Sequence, residues 1–179
     1  VDSLGYQIPK QVAEIIRRTN TDTSLGRVLD LGCGTGLFGA EVGANCLHLE
    51  GVDISGNMLQ KARERGVYDK LVKNDIVSYL STEPLDFNYI LAADVFVYLG
   101  NLSEVFASIS NRNQLSSVLA FSVEHIEGSG FALQQSGRYA HSRQYIEELC
   151  SRHSCELVHF ELQNLRMEKG VQLMGGIYL

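Results

Sequence analysis

The sequence predicts an α/β fold, a mostly parallel sheet with helices on both faces, closed by a C-terminal antiparallel hairpin. Three observations predict it. Short apolar runs alternate with segments of helical spacing as far as residue 152. A glycine-rich bend joins the first apolar run to the helix behind it. The last two apolar runs follow each other with only a short polar turn between them. Alternation of strand and helix builds a parallel sheet, because each right-handed crossover returns the chain beside an earlier strand.

The elements follow in order. Val12, Ile15 and Ile16 recur at helical spacing behind Pro9, predicting a helix over residues 9–19 with proline at its tolerant start. Residues 20–24 are polar and turn-like. Arg27-Val28-Leu29-Asp30-Leu31 reads as a buried strand that runs straight into Gly32-Cys33-Gly34-Thr35-Gly36. A short helix over 37–44 leads to a second strand, 47–53, ending in Asp53. Ser55-Gly56-Asn57 supplies the cap and first turn of a helix over 58–65. Leu71-Val72 is a short strand before Lys73-Asn74-Asp75, and 76–80 a brief helix. Residues 87–93 are apolar enough for a central parallel strand. A helix over 102–110, a strand over 117–123 and a helix over 142–152 come next. Residues 124–138 between them hold many Gly and Ser and read as irregular. The runs 156–165 and 171–179, split by Arg166-Met167-Glu168-Lys169-Gly170, read as a hairpin. The count is seven strands.

Composition bounds the possibilities. A chain of 179 residues is most simply one domain, with residues 1–24 as an N-terminal helix and cap and 25–179 as its body. With 45% apolar residues and a net charge of −6, disorder is excluded as the main state. No stretch reaches the ~18 uninterrupted apolar residues of a membrane span, so no membrane partner is expected. A mildly acidic chain gains little from counterion release, so no nucleic-acid partner is expected either. Lys61, Arg63, Arg65, Lys70 and Lys73 are interleaved with acids and read as a solvated face. Cys33, Cys46, Cys150 and Cys155 form no C-x-x-C pair and no zinc spacing with His, so no metal is predicted. Reduced thiols and the lack of a signal peptide at the start predict a cytoplasmic location.

Chemistry concentrates where the first strand meets the glycines. A strand delivers the chain to the sheet edge, glycines let a ligand approach the backbone, and the following helix start offers free N–H groups. Such a loop suits a carboxylate-bearing or otherwise negative group. Asp53, at the end of the next strand, is placed to accept both hydroxyls of a ribose. Gly34-x-Gly36-x-x-Gly39 also matches the dinucleotide fingerprint, which keeps a nicotinamide-dependent oxidoreductase open. Against that, Asp30 precedes the glycines. An acid there repels a pyrophosphate and favours a ligand carrying an ammonium and a sulfonium.

Val28-Leu29-Asp30-Leu31-Gly32-Cys33-Gly34-Thr35-Gly36 resembles the first motif of class I S-adenosylmethionine-dependent methyltransferases. Gly51-Val52-Asp53-Ile54-Ser55-x-x-Met58-Leu59-x-x-Ala62 resembles their second motif, and Asn74-Asp75-Ile76 their third. Within the superfamily the chain is most similar to the methyltransferase-like group associated with tetratricopeptide repeats and the Williams–Beuren region. That likeness is carried by Ala92-Ala93-Asp94-Val95-Phe96-x-Tyr98-Leu99, Phe121-Ser122-x-Glu124 and Ser136-Gly137-Arg138-Tyr139-Ala140-His141-Ser142. No tetratricopeptide repeat is present in the sequence. The resemblance implies the Rossmann-like class I fold, S-adenosylmethionine as cofactor with S-adenosylhomocysteine as product, and methyl transfer as the activity. A cofactor-binding protein of the same fold without catalysis stays open beside it.

The resemblance also implies roles. Backbone around Gly32, Cys33, Gly34 and Gly36 faces the methionine carboxylate, and Asp30 holds the ammonium with the Ala92 carbonyl beside it. Asp53, with Ile54 next to it, takes the ribose, and Met58 packs on the adenine unless it only fills core. Asp75 accepts from the adenine amino group, or else caps the next helix, and the Ile76 N–H reaches a ring nitrogen. Tyr6 closes over the cofactor by analogy with N-terminal lids. Substrate and catalytic candidates lie past the fourth and fifth strands: Tyr98, Glu124, Arg138 and His141, with Asp94, Phe96, His125 and Tyr139 around them. Arg138 is either a clamp for an anionic acceptor or a structural ion-pair partner, and His141 either reacts or bonds a loop carbonyl. An Asn/Asp-Pro-Pro-Tyr-type element is absent after the fourth strand, which points to a small-molecule acceptor.

Overall fold

Residues 7–168 and 171–179 are described in the computed structural model of the chain. Helix α1 (Ile8–Thr19) starts with Pro9 in its first turn, where a missing N–H costs nothing. There follow β1 (Gly26–Leu31), α2 (Leu37–Val42), β2 (Cys46–Asp53), α3 (Gly56–Arg65), β3 (Lys70–Lys73), α4 (Ile76–Thr82) and β4 (Tyr89–Ala92). Then come α5 (Ser103–Arg112), β5 (Val118–Ile126), β6 (Phe131–Leu133), β7 (Tyr139–Ser142), α6 (Arg143–Arg152), β8 (Phe160–Glu168) and β9 (Val171–Tyr178). Ser55 caps α3 by accepting from the Met58 N–H, and Ser142 caps α6 by accepting from the Tyr145 N–H.

The strands β3-β2-β1-β4-β5 run parallel. Order reverses at β1, which pairs with β2 on one side and β4 on the other. Ligand crevices of open α/β sheets form outside the carboxyl ends of strands at such a reversal. Strand β5 is long and has three neighbours: β4 along residues 118–121, β9 antiparallel along 121–124, and β7 parallel along 124–126. Strand β8 pairs antiparallel with β9, as the C-terminal hairpin predicts.

Two cores sit on the two faces, sorted by the alternation of strand side chains. Val28, Leu91 and Ala120 pack with Ile8, Val12, Ile15 and Ile16 of α1. Leu29, Leu31, Ile90 and Phe121 pack with residues of α4, α5 and α6.

One expectation is corrected. Residues 124–138 are only partly irregular: β5 continues to Ile126, and β6 pairs with β7 in a small antiparallel hairpin, with bends and turns between the strands. The described strands therefore number nine rather than seven. The Gly and Ser residues that suggested a loop only make its turns, with positive φ at Gly128, Gly130 and Gly137. Phe131, Ala132 and Leu133 are all exposed, so β6 has no inside–outside alternation to read.

Phe121 is the keystone of the larger core. Its ring stacks on Tyr178 at 5.1 Å and meets Phe96 at 5.2 Å and Phe106 at 6.0 Å. Phe121→Ala is expected to destabilise the fold by roughly 3–5 kcal/mol, measured by denaturant unfolding.

Candidate functional site

Strands β1, β2, β4 and β5 deliver their last residues to one edge. At the end of β1, Gly32 takes φ +64°, and a Cβ there would stand 2.5 Å from Val95, so the loop after β4 closes directly onto the glycine bend. The Gly34 N–H donates to Asp53 Oδ2 at 2.9 Å, and the Ser55 N–H donates to Asp53 Oδ1 at 2.7 Å. Asp53 is thus held by two backbone amides, one from each loop, with its carboxylate half-exposed at the edge.

Asp30 is buried, with 2% of its surface exposed. Among the described residues no lysine, arginine or histidine pairs with it. Its partner is Tyr68, whose hydroxyl donates to Oδ2 at 2.6 Å. Burial pushes the Asp30 carboxyl up to about 7, against the pull of the Tyr68 hydrogen bond and with a further push from the Asp53 charge. A buried acid with no cation of its own fits a ligand that brings one. Burial and the two nearby aspartates also push the Cys33 thiol up, so that residue packs rather than reacts.

A cavity of about 230 Å³ lies against this loop. Asp30, Gly32, Cys33, Gly34 and Met58 are among the residues that line it, together with Pro9 of α1 and Ala93. A larger cavity of about 440 Å³ lies at the other edge, between α5 and α6, and holds none of the expected residues. Met58 and Ile54 are both exposed beside the glycine bend. Asp75 caps α4, its Oδ1 accepting from the Val77 and Ser78 N–H groups at 3.0 Å each. Ile76 is the first residue of that helix and is buried, as is Ala92 at the end of β4. Tyr6 lies outside the described residues.

Past β4 and β5 a second cluster forms. Arg138 Nη1 stands 3.4 Å from Asp94 Oδ1 and 3.9 Å from Glu124 Oε1. Its guanidinium lies over the Tyr98 ring, 5.4 Å from the centroid, and that ring is 62% exposed. Asp94 adopts φ +58°, a backbone region costly for a non-glycine residue, and its N–H donates to Ser122 Oγ at 2.9 Å. Asp94, Tyr98, Glu124 and Arg138 therefore meet, one residue along the chain from the cavity-lining Ala93.

The remaining candidates do not join them. His141 is fully buried, with its Nε2 2.9 Å from the Gly100 carbonyl and its ring stacked on Tyr145, so it ties β7 to the loop after β4. Burial holds its pKa low. Phe96 is core. His125 faces Glu127 and Phe160. Tyr139 packs edge-on against Phe131.

Tyr68 escaped the sequence reading. Its ring occupies the space that a Cβ on Gly36, Gly39 or Gly51 would need. Two of the three glycines in the dinucleotide-like spacing, Gly36 and Gly39, therefore make room for a tyrosine. The available signal was the triplet of Gly36, Gly39 and Gly51, which the sequence leaves without a common cause.

Residues 29–113 match the family model described as a methyltransferase domain. An uncharacterised methyltransferase of Schizosaccharomyces pombe is 38% identical over 60 residues, covering 34% of this chain and 23% of that protein. A trans-aconitate 2-methyltransferase of Rhizobium rhizogenes is 34% identical over 102 residues, covering 55% of this chain and 38% of that protein. The matches thus span well under half of these relatives' lengths. An S-adenosylmethionine-dependent methyltransferase from Clostridium acetobutylicum shares the fold with a TM-score of 0.69 at 18% identity, covering 98% of this chain and 92% of that one. The chain thus has the fold of S-adenosylmethionine-dependent methyltransferases, and residues 29–113 resemble a methyltransferase domain.

Two outcomes are expected. Asp30→Asn removes an acid whose folded pKa lies above its unfolded value. Such an acid loses its stabilising contribution as pH rises from about 4 to about 7. The melting temperature of the variant relative to wild type should therefore climb across that window and stay level above it. Asp53→Ala removes the acceptor for two loop amides and is expected to weaken S-adenosylmethionine binding by roughly 1.5–3 kcal/mol in calorimetry.

Proposed function

We propose that this methyltransferase domain transfers a methyl group from S-adenosylmethionine to a small, carboxylate-bearing acceptor. The observation that carries the cofactor assignment is the buried Asp30 carboxyl, without a cation among the described residues, opening on the cavity beside the glycine bend. In this reading Asp30 meets the ammonium, and the backbone of Gly32, Cys33, Gly34 and Gly36 meets the carboxylate. Asp53, held by its two amides, takes the ribose hydroxyls, with Ile54 beside it. Met58, Asp75 and Ile76 border the adenine, and the Ala92 carbonyl lies next to the ammonium.

When bound, S-adenosylmethionine supplies a methyl group on a sulfonium, whose leaving group is a neutral thioether. The chain's task is then positioning and exclusion of water. Pro9, Phe38 and Ala93 are the apolar part of the cavity lining that would shield the methyl group from water.

Arg138 is the proposed acceptor clamp. Its contacts of 3.4 and 3.9 Å are long beside the ~2.8 Å of a tight charge-assisted hydrogen bond. Asp94 and Glu124 both face Nη1 at this long range, so the rest of the guanidinium can turn to an incoming carboxylate. The relative that acts on trans-aconitate supports an acidic acceptor. A carboxylate acceptor carries no proton at neutral pH, so Glu124 and Tyr98 shape and charge the subsite rather than remove a proton. His141 positions the loop that presents Tyr98. The three stretches that carry the likeness to the tetratricopeptide-associated group all border this cluster, and membership of that group belongs to the same proposal.

A mass-spectrometric screen of metabolites with isotopically labelled S-adenosylmethionine tests the reading. Labelled methyl esters of small acids are expected with the wild-type chain. Arg138→Ala should lose acidic acceptors by about tenfold or more while S-adenosylmethionine affinity holds. Labelling confined to neutral or basic acceptors overturns the acceptor assignment.

A further inference from the structure

The cofactor end of the edge rests on a side chain that does not line the cavity. Tyr68 lies between α3 and β3. Its hydroxyl donates to Asp30 Oδ2 at 2.6 Å, and the Gly39 backbone bonds the same hydroxyl. Its ring stands 3.0 Å from where a Gly36 Cβ would be and 2.8 Å from where a Gly51 Cβ would be, and closer still to that of Gly39. One side chain thus touches the acid next to last in β1, the start of α2 and the middle of β2. Arg65 closes the same corner, donating from Nε to the Thr35 carbonyl at 2.6 Å.

We propose that Tyr68 is the positioning residue of the ammonium subsite, aiming the Asp30 carboxyl into the cavity and holding it ready to ionise when a cationic ligand arrives. The inference rests on the S-adenosylmethionine reading above. Its physical content is a linkage. The groups facing Asp30 are Tyr68 from the segment after α3, Asp53 from the end of β2, Cys46 from its start and Cys33 from the loop itself. None of them is cationic. Asp53 opposes ionisation of Asp30, burial opposes it more, and the Tyr68 hydroxyl is the group that favours it. An ammonium entering the cavity supplies the missing charge, and Asp30 gives up its proton to solvent as the pair forms. Removing the hydroxyl leaves the ring, and so the glycine packing, in place. It takes away the one donor that makes the carboxylate available.

Calorimetry with two ligands over a pH series tests this. S-adenosylmethionine carries the ammonium, and 5′-methylthioadenosine carries only the adenine, ribose and thioether. For wild type, S-adenosylmethionine affinity is expected to rise with pH up to about 7 and to fall again as the ligand's own amino group loses its proton near pH 8. Binding near pH 6.5 is expected to release a proton, read from the difference between buffers of unlike ionisation enthalpy. In Tyr68→Phe the rising limb moves to higher pH. Affinity for S-adenosylmethionine should be about tenfold weaker near pH 6.5, with the gap closing toward alkaline pH, while methylthioadenosine affinity holds. Asp30→Asn should abolish both the limb and the proton release. Equal loss of both ligands in Tyr68→Phe with an unmoved pH profile overturns the proposal, because Tyr68 then only braces the loop. So does wild-type binding of S-adenosylmethionine without proton release, which needs no variant to fold. Wild type that binds neither ligand instead removes the cofactor reading beneath it.

Discussion

Asp30, next to last in the central strand, has its carboxyl buried and a phenol as its hydrogen-bond donor. Leaving a charge in that position is expensive, and a protein without a ligand there does better with the acid protonated. The surrounding architecture makes sense as the means of keeping that group in place. The parallel sheet reverses order at β1, so the end of β1 borders the crevice that such a reversal opens at the carboxyl edge. The glycine bend then has to be thin enough for Val95 to close over one side and Tyr68 to fit beneath the other. Asp53 completes the arrangement by tying the β1 loop to the β2 loop through its two amide hydrogen bonds. A second acid lies close to the first, and their repulsion adds to the demand for a cation between them.

The same constraint separates two ligand chemistries that share a sequence fingerprint. A pyrophosphate wants free amides at a helix start and no nearby acid. Here the helix behind the glycines is short, Asp53 already accepts from the Gly34 amide, and the face that the third glycine leaves open is filled by the Tyr68 ring. Two of the glycines at matching spacing, Gly36 and Gly39, therefore serve close packing of an aromatic side chain rather than approach of a diphosphate.

How much of this was legible in the sequence depends on the range of the signal. The strand–glycine–helix unit, the acid at the end of β2 and the cap at Ser55 are local patterns, and residues 26–82 fold nearly as read. The cofactor-side candidates of β1 and its loop gathered because one bend positions them all. Tyr68 was invisible because its role is set across three elements by the absence of side chains elsewhere, and a tyrosine in a turn advertises nothing. The hairpin of β6 and β7 was invisible for a different reason: its first strand faces solvent with apolar and small residues alike, so no periodicity marks it. Phe96 and His141 lie within the stretches that resembled the family, yet neither faces the cavity. Sequence adjacency to a site residue carries no information about which way a side chain points when the backbone turns as sharply as it does at Asp94.

The two ends of the edge are built on opposite physical terms. The end proposed for the cofactor uses short side chains, backbone amides and a buried phenol, all with contacts below 3 Å, so a ligand entering there would leave little to be ordered. The end proposed for the acceptor uses an arginine, a partly exposed ion pair and an exposed tyrosine ring, all at longer range. Arg138 stands on a turn of the β6–β7 hairpin beside Gly137, and that hairpin joins the sheet through only three residues of β5. The loop facing it is firmer: Ser122 accepts from the Asp94 N–H, His141 meets the Gly100 carbonyl, and the Leu102 N–H donates to the Tyr145 hydroxyl. A strained backbone at Asp94 persists because those three contacts over-determine it. On the acceptor reading, exchange of side chains on the hairpin would alter which acceptor is held without disturbing the acid, the glycine bend or the phenol beneath it. A rigid end and an adjustable end are compatible in a single small sheet because β5 is long enough to pair with β4 and β7 along different residues.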